Sequence, residues 1–242
     1  MARRRFFVDS VRQRHAEIAG EDAHHLTRVL RVEAGQKFEI SDNRDVYLAE
    51  VESARKDLVS FAIVERIEAG VPVVRTALFA SLIKFERFEW LIEKATELGV
   101  AQLTPVEAER SEKGLERAAR KRLERWNRIA REASEQSRRA RLPELGEPLA
   151  LSEALQAGAD YRYLLDEAEA CPMLSAFPAP RRSENRVALL VGPEGGWTDR
   201  ERAEITQAGW RAVSLGGGIL RAETAAIAAL AIVNAAWGAE HK

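Results

Sequence analysis

The hydrophobic pattern of this chain changes its period at Pro72, and that change limits the fold more than any other feature of the sequence. Before Pro72, short β-branched or alternating runs separated by turn residues predict strands. After Pro72, apolar runs alternate with amphipathic helical stretches, which indicates an α/β domain with a mainly parallel sheet. We therefore predict an α+β chain of two domains, a small β-barrel over residues 1–70 and an α/β domain over residues 73–242, with a linker at 68–72.

The predicted elements follow this division. In the first part we predict strands at Arg5–Val8, Lys37–Ile40, Val46–Val51 and Leu58–Val64, and a helix at Asp22–Val29. In the second part we predict strands at Val73–Ser81, Val100–Val106, Tyr161–Asp166, Val187–Val191 and Arg211–Leu215. The helices of that part are Phe85–Leu98, Leu115–Arg139, Thr198–Ala208, which opens with a Thr198–Glu201 capping box, and Glu223–Trp237.

Two glycine-rich turns follow two strands of the second part. Gly192, Gly195 and Gly196 follow Val187–Val191, and Gly216–Gly218 follow Arg211–Leu215. Each turn leads into a helix, so bare backbone at the carboxyl end of a strand is open to a ligand. Neither turn matches a P-loop or a dinucleotide fingerprint, which favours a nucleotide-like ligand held by backbone and apolar contacts. A tight connection that binds nothing is the alternative for each turn.

Composition limits the class of protein and its chemistry. With 46% apolar and 31% charged residues, the chain is an ordinary globular protein. Cys171 is the single cysteine, which excludes an internal disulfide and a thiolate metal cluster. The His24-His25 pair has no acidic partner at ligand spacing, so we predict no metal. The lack of a membrane-length apolar run and of a signal peptide predicts a cytoplasmic protein with no membrane partner.

The formal net charge of −1 conceals two local excesses of positive charge. Residues 1–31 carry +3, and residues 110–141 carry +7. Ion pairs along a solvated helix explain part of the second excess, but Arg138, Arg139 and Arg141 have no acidic residue near them in sequence after Glu135. We hypothesise that they bind RNA phosphates. The N-terminal cations of the same surface are Arg3, Arg4, Arg5, Arg12, Arg14, Arg28 and Arg31.

Several sequence blocks resemble one known family over nearly the whole chain. Leu190-Val-Gly-Pro-Glu-Gly-Gly-Trp-Thr-Asp-Arg-Glu201 and Leu215-Gly-Gly-Gly-Ile-Leu-Arg-Ala-Glu-Thr-Ala225 resemble signatures of the RsmE-type 16S rRNA uridine-N3 methyltransferases of the SPOUT superfamily. Four further blocks occur in the family's order; they begin at Arg4, His24, Lys94 and Arg131.

The resemblance implies a PUA-like β-barrel followed by a SPOUT α/β domain with a C-terminal trefoil knot. It implies S-adenosylmethionine (SAM) as cofactor, a homodimer, and N3 methylation of one uridine in 16S rRNA. We predict the assembled 30S subunit as the substrate, with free rRNA as the alternative that the sequence leaves open. The Ala-rich stretch 222–236 agrees with a close subunit contact, although alanine's helix propensity explains it equally well. The cofactor residues implied by the motifs are Leu190, Gly192, Glu194, Gly195, Gly196, Leu215, Gly216, Ile219, Leu220, Arg221 and Thr224.

Some positions depart from the family pattern. The family usually has Gly at Arg138, Pro-Arg at Gly217-Gly218 and Thr at Ala222. These departures concern RNA contact more than the fold or the cofactor. The RNA-binding residues that we predict are Arg4, Arg5, His25, Arg28, Arg31, Arg138 and Arg139.

Methylation at a uridine N3 requires three things of a protein: alignment of donor and acceptor, a base for the N3 proton, and a cation near the flanking carbonyl oxygens. Arg221 is our candidate cation, and Glu194 or Glu223 our candidate base. Arg221 and Glu223 pairing with one another, or either Glu capping a helix, is the structural alternative.

Three other functions remain open at this stage. A SPOUT 2′-O-ribose methyltransferase acting on tRNA or rRNA has similar glycine turns but needs no N3 deprotonation. An inactive RNA-binding assembly factor keeps the fold and fails to bind SAM. A metabolic enzyme for an unrelated nucleotide is disfavoured by the lack of phosphate motifs.

Overall fold

The computed structural model describes residues 4–70, 72–167 and 170–240. Arg3 of the predicted cationic cluster and Val71 of the predicted linker lie outside these residues. The chain forms two compact units, one of residues 1–71 and 131–142, the other of residues 72–130 and 143–242. The segment 131–142 thus belongs to the first unit, which differs from the sequence-based boundary at residues 70–73.

The first unit is built on a five-stranded sheet in the order β1-β3-β4-β5-β2. β1 runs parallel to β3, and the other pairs are antiparallel. Its core contains Phe6, Ile18, Leu26, Ile40 and Phe61. The bounds are β1 Arg5–Phe7, β2 His15–Ala19, α1 Gly20–Arg28, β3 Lys37–Ser41, β4 Val46–Arg55 and β5 Leu58–Ile67.

β2 was not predicted from the sequence. Its residues alternate between exposed and buried, as an edge strand of a one-sided sheet requires. However, Ala16 and Ile18 are its only buried residues, and two apolar positions give too weak a period-2 signal. The other four strands and α1 were predicted, with boundaries shifted by a few residues.

The second unit is a sheet of eight parallel strands with helices on its faces. The order is β11-β13-β10-β12-β6-β7-β8, with β9 pairing to β7. Its strands are β6 Arg75–Ser81, β7 Gln102–Glu107, β8 Glu144–Leu145, β9 Leu149–Ala150, β10 Tyr161–Leu165, β11 Cys171–Pro172, β12 Arg186–Val191 and β13 Arg211–Ser214. Its helices are α2 Phe85–Glu97, α3 Leu115–Arg120, α4 Leu123–Gln136 (whose end lies in the first unit), α5 Leu151–Ala154, α6 Met173–Ala176, α7 Asp199–Gln207 and α8 Ala222–Gly238.

Both faces of this sheet are covered, which explains the continuous apolar strands that the sequence shows. Along β12, Val187, Leu189 and Val191 pack into one hydrophobic cluster. The alternate residues Ala188 and Leu190 pack into another. A strand buried on both sides has no polar face, so its sequence does not alternate.

The prediction of one long helix over Leu115–Arg139 was wrong. The chain turns between α3 and α4, where the Arg122 amide bonds to the Ala119 carbonyl at 2.8 Å. α4 ends at Gln136, and Arg138 adopts a left-handed φ of 56°. The break lets Trp126 pack on Phe88 with the ring centroids 4.9 Å apart.

The predicted capping box at the start of α7 is confirmed. Thr198 accepts a hydrogen bond from the Glu201 amide at 3.2 Å, and Glu201 accepts one from the Thr198 amide at 2.9 Å. The second oxygen of Glu201 accepts a hydrogen bond from the Glu109 amide at 2.7 Å. This buried carboxylate therefore joins the turn before α7 to the chain after β7.

Candidate functional site

A cleft of about 310 Å³ lies in the second unit, beyond the carboxyl ends of three adjacent strands. The last residues of these strands, Leu165, Val191 and Val213-Ser214, form its floor. Ligands of open α/β sheets bind at this edge. The two glycine turns predicted from the sequence form its walls, because both Gly192–Gly196 and Gly216–Gly218 follow strands of this group.

The first glycine turn is shaped by close packing on Trp197. A Cβ at Gly192 would lie 2.8 Å from the Trp197 Nε1 atom, so only glycine fits. The indole is 2% exposed and lines the cleft. Within the described residues, its Nε1 group has no hydrogen-bond partner. A donor in that state is a candidate contact for a ligand.

The second glycine turn is more open. Gly216 has a φ of 124°, which favours glycine, and its amide donates a hydrogen bond to the Ser214 hydroxyl at 3.1 Å. A Cβ at Gly217 or Gly218 would meet nothing within 4 Å. Ile219 and Leu220, which follow, line the cleft and are 85% and 42% exposed. This wall therefore offers apolar surface and uncovered backbone.

An acid–base pair closes the side of the cleft at β10. Arg202 of α7 donates from Nε to Asp166 Oδ2 at 2.8 Å and from Nη2 to Oδ1 at 3.2 Å. Its Nη1 donates to the Trp197 carbonyl at 2.7 Å. The hydrogen bond that Arg202 donates to Asp166 raises the pKa of Arg202, which stays charged. This pair fixes the first glycine turn to the end of β10.

A second ionic group joins both walls of the cleft. Arg87, in the first turn of α2, forms an ion pair with Glu194 of the first glycine turn. Its Nε lies 3.8 Å from Glu223 Oε1, in the first turn of α8. Arg87 was not predicted from the sequence, since it lies 107 positions before Glu194 and 136 before Glu223 and belongs to no glycine motif. Among the described residues, Glu223 pairs with Arg87, and no ion pair joins it to Arg221.

The cleft gathers most of the predicted cofactor residues. Leu190 does not line it, because this side chain points into the core at 0% exposure. Gly195 faces Arg110, whose Nη1 donates to the Gly195 carbonyl at 2.9 Å, and Thr224 is exposed outside the lining. The predicted residues in the lining are Gly192, Glu194, Gly196, Leu215, Gly216, Ile219, Leu220 and Arg221.

The predicted RNA-binding residues all lie in the first unit, where some are exposed and others are buried or paired with an acidic residue. Arg5 is 7% exposed and donates to Glu39 at 3.1 and 2.8 Å. Glu39 also pairs with Arg138, so Arg138 has an acidic partner that the sequence did not show. Arg139 is half-buried, and burial lowers its pKa to about 10. The predicted cations with exposed side chains are Arg4, His25, Arg28, Arg31 and Arg138.

In the parts of the chain that the structure describes, no three His, Cys, Asp or Glu residues are grouped to hold a metal ion. Over the same residues, no helix combines the length and the apolar character needed to cross a membrane.

A parallel sheet with a cleft between two glycine turns, following a small β-rich unit, defines the class of RNA methyltransferases that carry a PUA domain. The family model of the RNA methyltransferase domain matches residues 71–234, and that of the RNA methyltransferase PUA domain matches residues 18–64. Within this class, the chain belongs to the ribosomal RNA small subunit methyltransferase E family. The enzyme of that name from Bacillus subtilis is 32% identical over 95% of both chains. The one from Synechocystis is 36% identical over 88% of this chain and 70% of its own.

Solved structures show the same fold. A Legionella pneumophila methyltransferase with the cofactor SAM bound matches with a TM-score of 0.88, at 30% identity and over 98% of both chains. A ribosomal RNA small subunit methyltransferase E from Neisseria gonorrhoeae, bound to S-adenosyl methionine, also gives 0.88, at 28% identity over 98% of both chains. The predicted fold class is thereby confirmed; the trefoil knot stays a prediction.

Proposed function

We propose that the cleft binds SAM and that the protein uses it to methylate N3 of one uridine in 16S rRNA. The observation that carries this proposal is the cleft itself, walled by two glycine turns at the ends of β12 and β13. Relatives with this fold are named as methyltransferases of small-subunit ribosomal RNA, and two similar structures hold SAM.

The residues of the cleft fit this cofactor. Gly192 leaves room beside Trp197 that any side chain would fill, and the unpartnered Trp197 Nε1 is a donor for a polar ligand atom. The wall carries both charge signs, as a ligand with an amino-acid end requires; its charged residues are Arg87, Asp166, Glu167, Glu194, Arg202 and Arg221. When bound, SAM would supply its sulfonium methyl group, which is transferred to N3 by in-line displacement as the C–S bond breaks and the neutral thioether S-adenosylhomocysteine leaves.

For this reaction, the residues around the cleft must align the uracil ring with the methyl group and accept the proton that N3 loses. We propose that Arg221 stabilises negative charge on the uracil carbonyl oxygens as N3 loses its proton. Arg221 is the N-cap residue of α8, is exposed and lines the cleft. Glu194 and Glu223 are the candidate bases. Both lie beside Arg87, and Glu194 is the more exposed of the two.

The assembled 30S subunit is the proposed substrate, and the proposed active form is a cytoplasmic homodimer. The exposed residues of α8, including Ala231 and Ala235, support the dimer because small side chains allow backbones to approach closely. The exposed cations of the first unit support contact with RNA phosphate.

The test is methyl transfer from radiolabelled SAM to purified 30S subunits, to naked 16S rRNA and to tRNA. Mass spectrometry of the digested nucleosides then distinguishes 3-methyluridine from 2′-O-methylated products. We expect 3-methyluridine at one position, with 30S as the best substrate. Ribose methylation, or transfer to tRNA alone, contradicts the proposal, and wild-type protein that binds no SAM supports the inactive assembly factor.

A further inference from the structure

Arg87 is the residue through which the two walls of the cleft are connected. It reaches Glu194 in the first glycine turn and Glu223 at the start of α8, just after the second glycine turn. Arg87 itself sits on α2, which packs against α8, so its backbone is anchored in the core of the unit. One guanidinium therefore contacts two elements that are separate in sequence and that both contribute residues to the lining of the cleft.

Glu223 is an unusual partner for a purely structural contact. Its side chain is 9% exposed, and its Oε2 atom has no hydrogen-bond partner within the described residues. Its other oxygen lies 3.8 Å from Arg87 Nε, which is too long for a hydrogen bond. Burying a carboxylate that is only partly satisfied is costly. Buried carboxylates of this kind occur at functional sites, where the position of a charged group matters more than its contribution to the stability of the fold.

Glu194 contributes the other half of the connection. It is exposed, lines the cleft, and belongs to the turn whose backbone is packed on Trp197. An exposed ion pair adds little to global stability because solvent screens it. Its effect here is on the position of the turn, since it fixes Glu194 to a helix rather than to the neighbouring loop.

We propose that Arg87 is a positioning residue for the cofactor site, which sets the separation of the two glycine turns by binding Glu194 and Glu223 at once. This inference rests on the proposed function only in taking SAM as the ligand of the cleft. It adds a residue from α2 to a site otherwise built from residues 165–225.

The test measures SAM binding by calorimetry together with the Tm of each variant. We expect Arg87→Met to raise the Kd for SAM at least tenfold and to lower the Tm, because it leaves the Glu223 carboxylate buried without a cation. Arg87→Lys, which keeps the charge but not the fork, restores the Tm and only part of the affinity. The matched control is Arg125→Met, which removes an arginine paired with Glu89 of the same α2; its Kd stays within twofold of wild type.

A double variant separates positioning from charge neutralisation. In Arg87→Met/Glu223→Gln the buried charge is gone, so we expect the Tm to recover while the Kd for SAM stays about three- to fivefold raised, because Glu194 is still unanchored. Recovery of both quantities would show that Arg87 only neutralises Glu223, and would overturn the proposal. A Kd within twofold of wild type in Arg87→Met would overturn it as well.

The outcome is distinguishable from failure of the proposed function. Wild-type protein that binds no SAM refutes the cofactor assignment. Wild-type protein that binds SAM but methylates no rRNA refutes the proposed substrate, and the calorimetric result for Arg87 then still stands on its own.

Discussion

Gly192 and Trp197 are packed so closely that a Cβ on Gly192 would lie 2.8 Å from the indole Nε1 and 3.0 Å from Cε2. This contact shapes the first glycine turn. The indole has little freedom to move, because it is 2% exposed and packs in a hydrophobic cluster. The shape of the cofactor site therefore depends on the absence of one side chain.

Gly192→Ala should weaken SAM binding by about 10- to 100-fold, since displacing the indole by even a few tenths of an ångström alters the wall of the cleft. The matched control is Gly217→Ala in the other turn, where a Cβ meets nothing within 4 Å. We expect the control to bind SAM within threefold of wild type. Calorimetry on both variants checks this, and equal affinities for the two would contradict the role given to Gly192.

Arg221→Ala should lower kcat for rRNA methylation by about 100-fold or more, as expected when a group that stabilises developing charge is lost. Its Tm should change by less than about 2 °C, because no hydrogen bond of its side chain exists within the described residues. Arg200→Ala, an exposed arginine of α7 outside the cleft lining, is the control. Near-normal turnover in Arg221→Ala would remove this residue from the mechanism.

The affinity for RNA should depend on salt through the exposed cations of α1. Replacing Arg28 with Ala should reduce the slope of log K against log salt concentration by about one. Arg186→Ala is the control, because this exposed arginine opens β12 at the strand end opposite the cleft. Filter binding to 16S rRNA at several salt concentrations measures both slopes. An unchanged slope for Arg28→Ala would contradict a phosphate contact there.

The stability of the first unit should depend on the ionisation of Glu135. Burial raises the pKa of this carboxyl to about 7, against a hydrogen bond from the Phe7 amide and the charge of Arg131, which lower it. The folded state therefore holds the proton more tightly than the unfolded state does. The free energy of unfolding is then greatest below the pKa that Glu135 has in the unfolded chain. It falls as the pH rises towards the pKa of about 7 that Glu135 has in the folded chain.

Glu135→Gln should remove this dependence. At pH 8 the variant should be more stable than wild type, by roughly 1–3 kcal/mol, and at pH 4.5 the two should be alike. Chemical denaturation between these pH values measures the difference. Glu124→Gln, on an exposed position of the same helix whose charge does not contribute to the pKa of Glu135, is the control and should keep the wild-type pH dependence. Parallel curves for wild type and Glu135→Gln would contradict the prediction.

The local elements were largely predictable because their signals are local. Val187–Val191 reads as a strand buried on both faces, and the Thr198–Glu201 capping box marks the start of α7 to the residue. The long helix was the main error. Its apolar positions keep a helical period across Lys121 and Arg122, so the sequence pattern gives no sign that the chain turns there. The turn accompanies the packing of Trp126 on Phe88, which is a tertiary contact.

Sequence alone thus determined the glycine turns and the family, since both depend on residues near one another in the chain. Only the tertiary structure assigned residues 131–142 to the first unit. Only the tertiary structure showed that Arg87 joins Glu194 to Glu223, and that Glu39 pairs with both Arg5 and Arg138. The nearest of these partners along the chain, Arg5 and Glu39, are 34 positions apart, and the most distant, Arg87 and Glu223, are 136 positions apart. A charged residue carries no local signal of its distant partner, because the pairing is decided by which strands and helices the fold brings together.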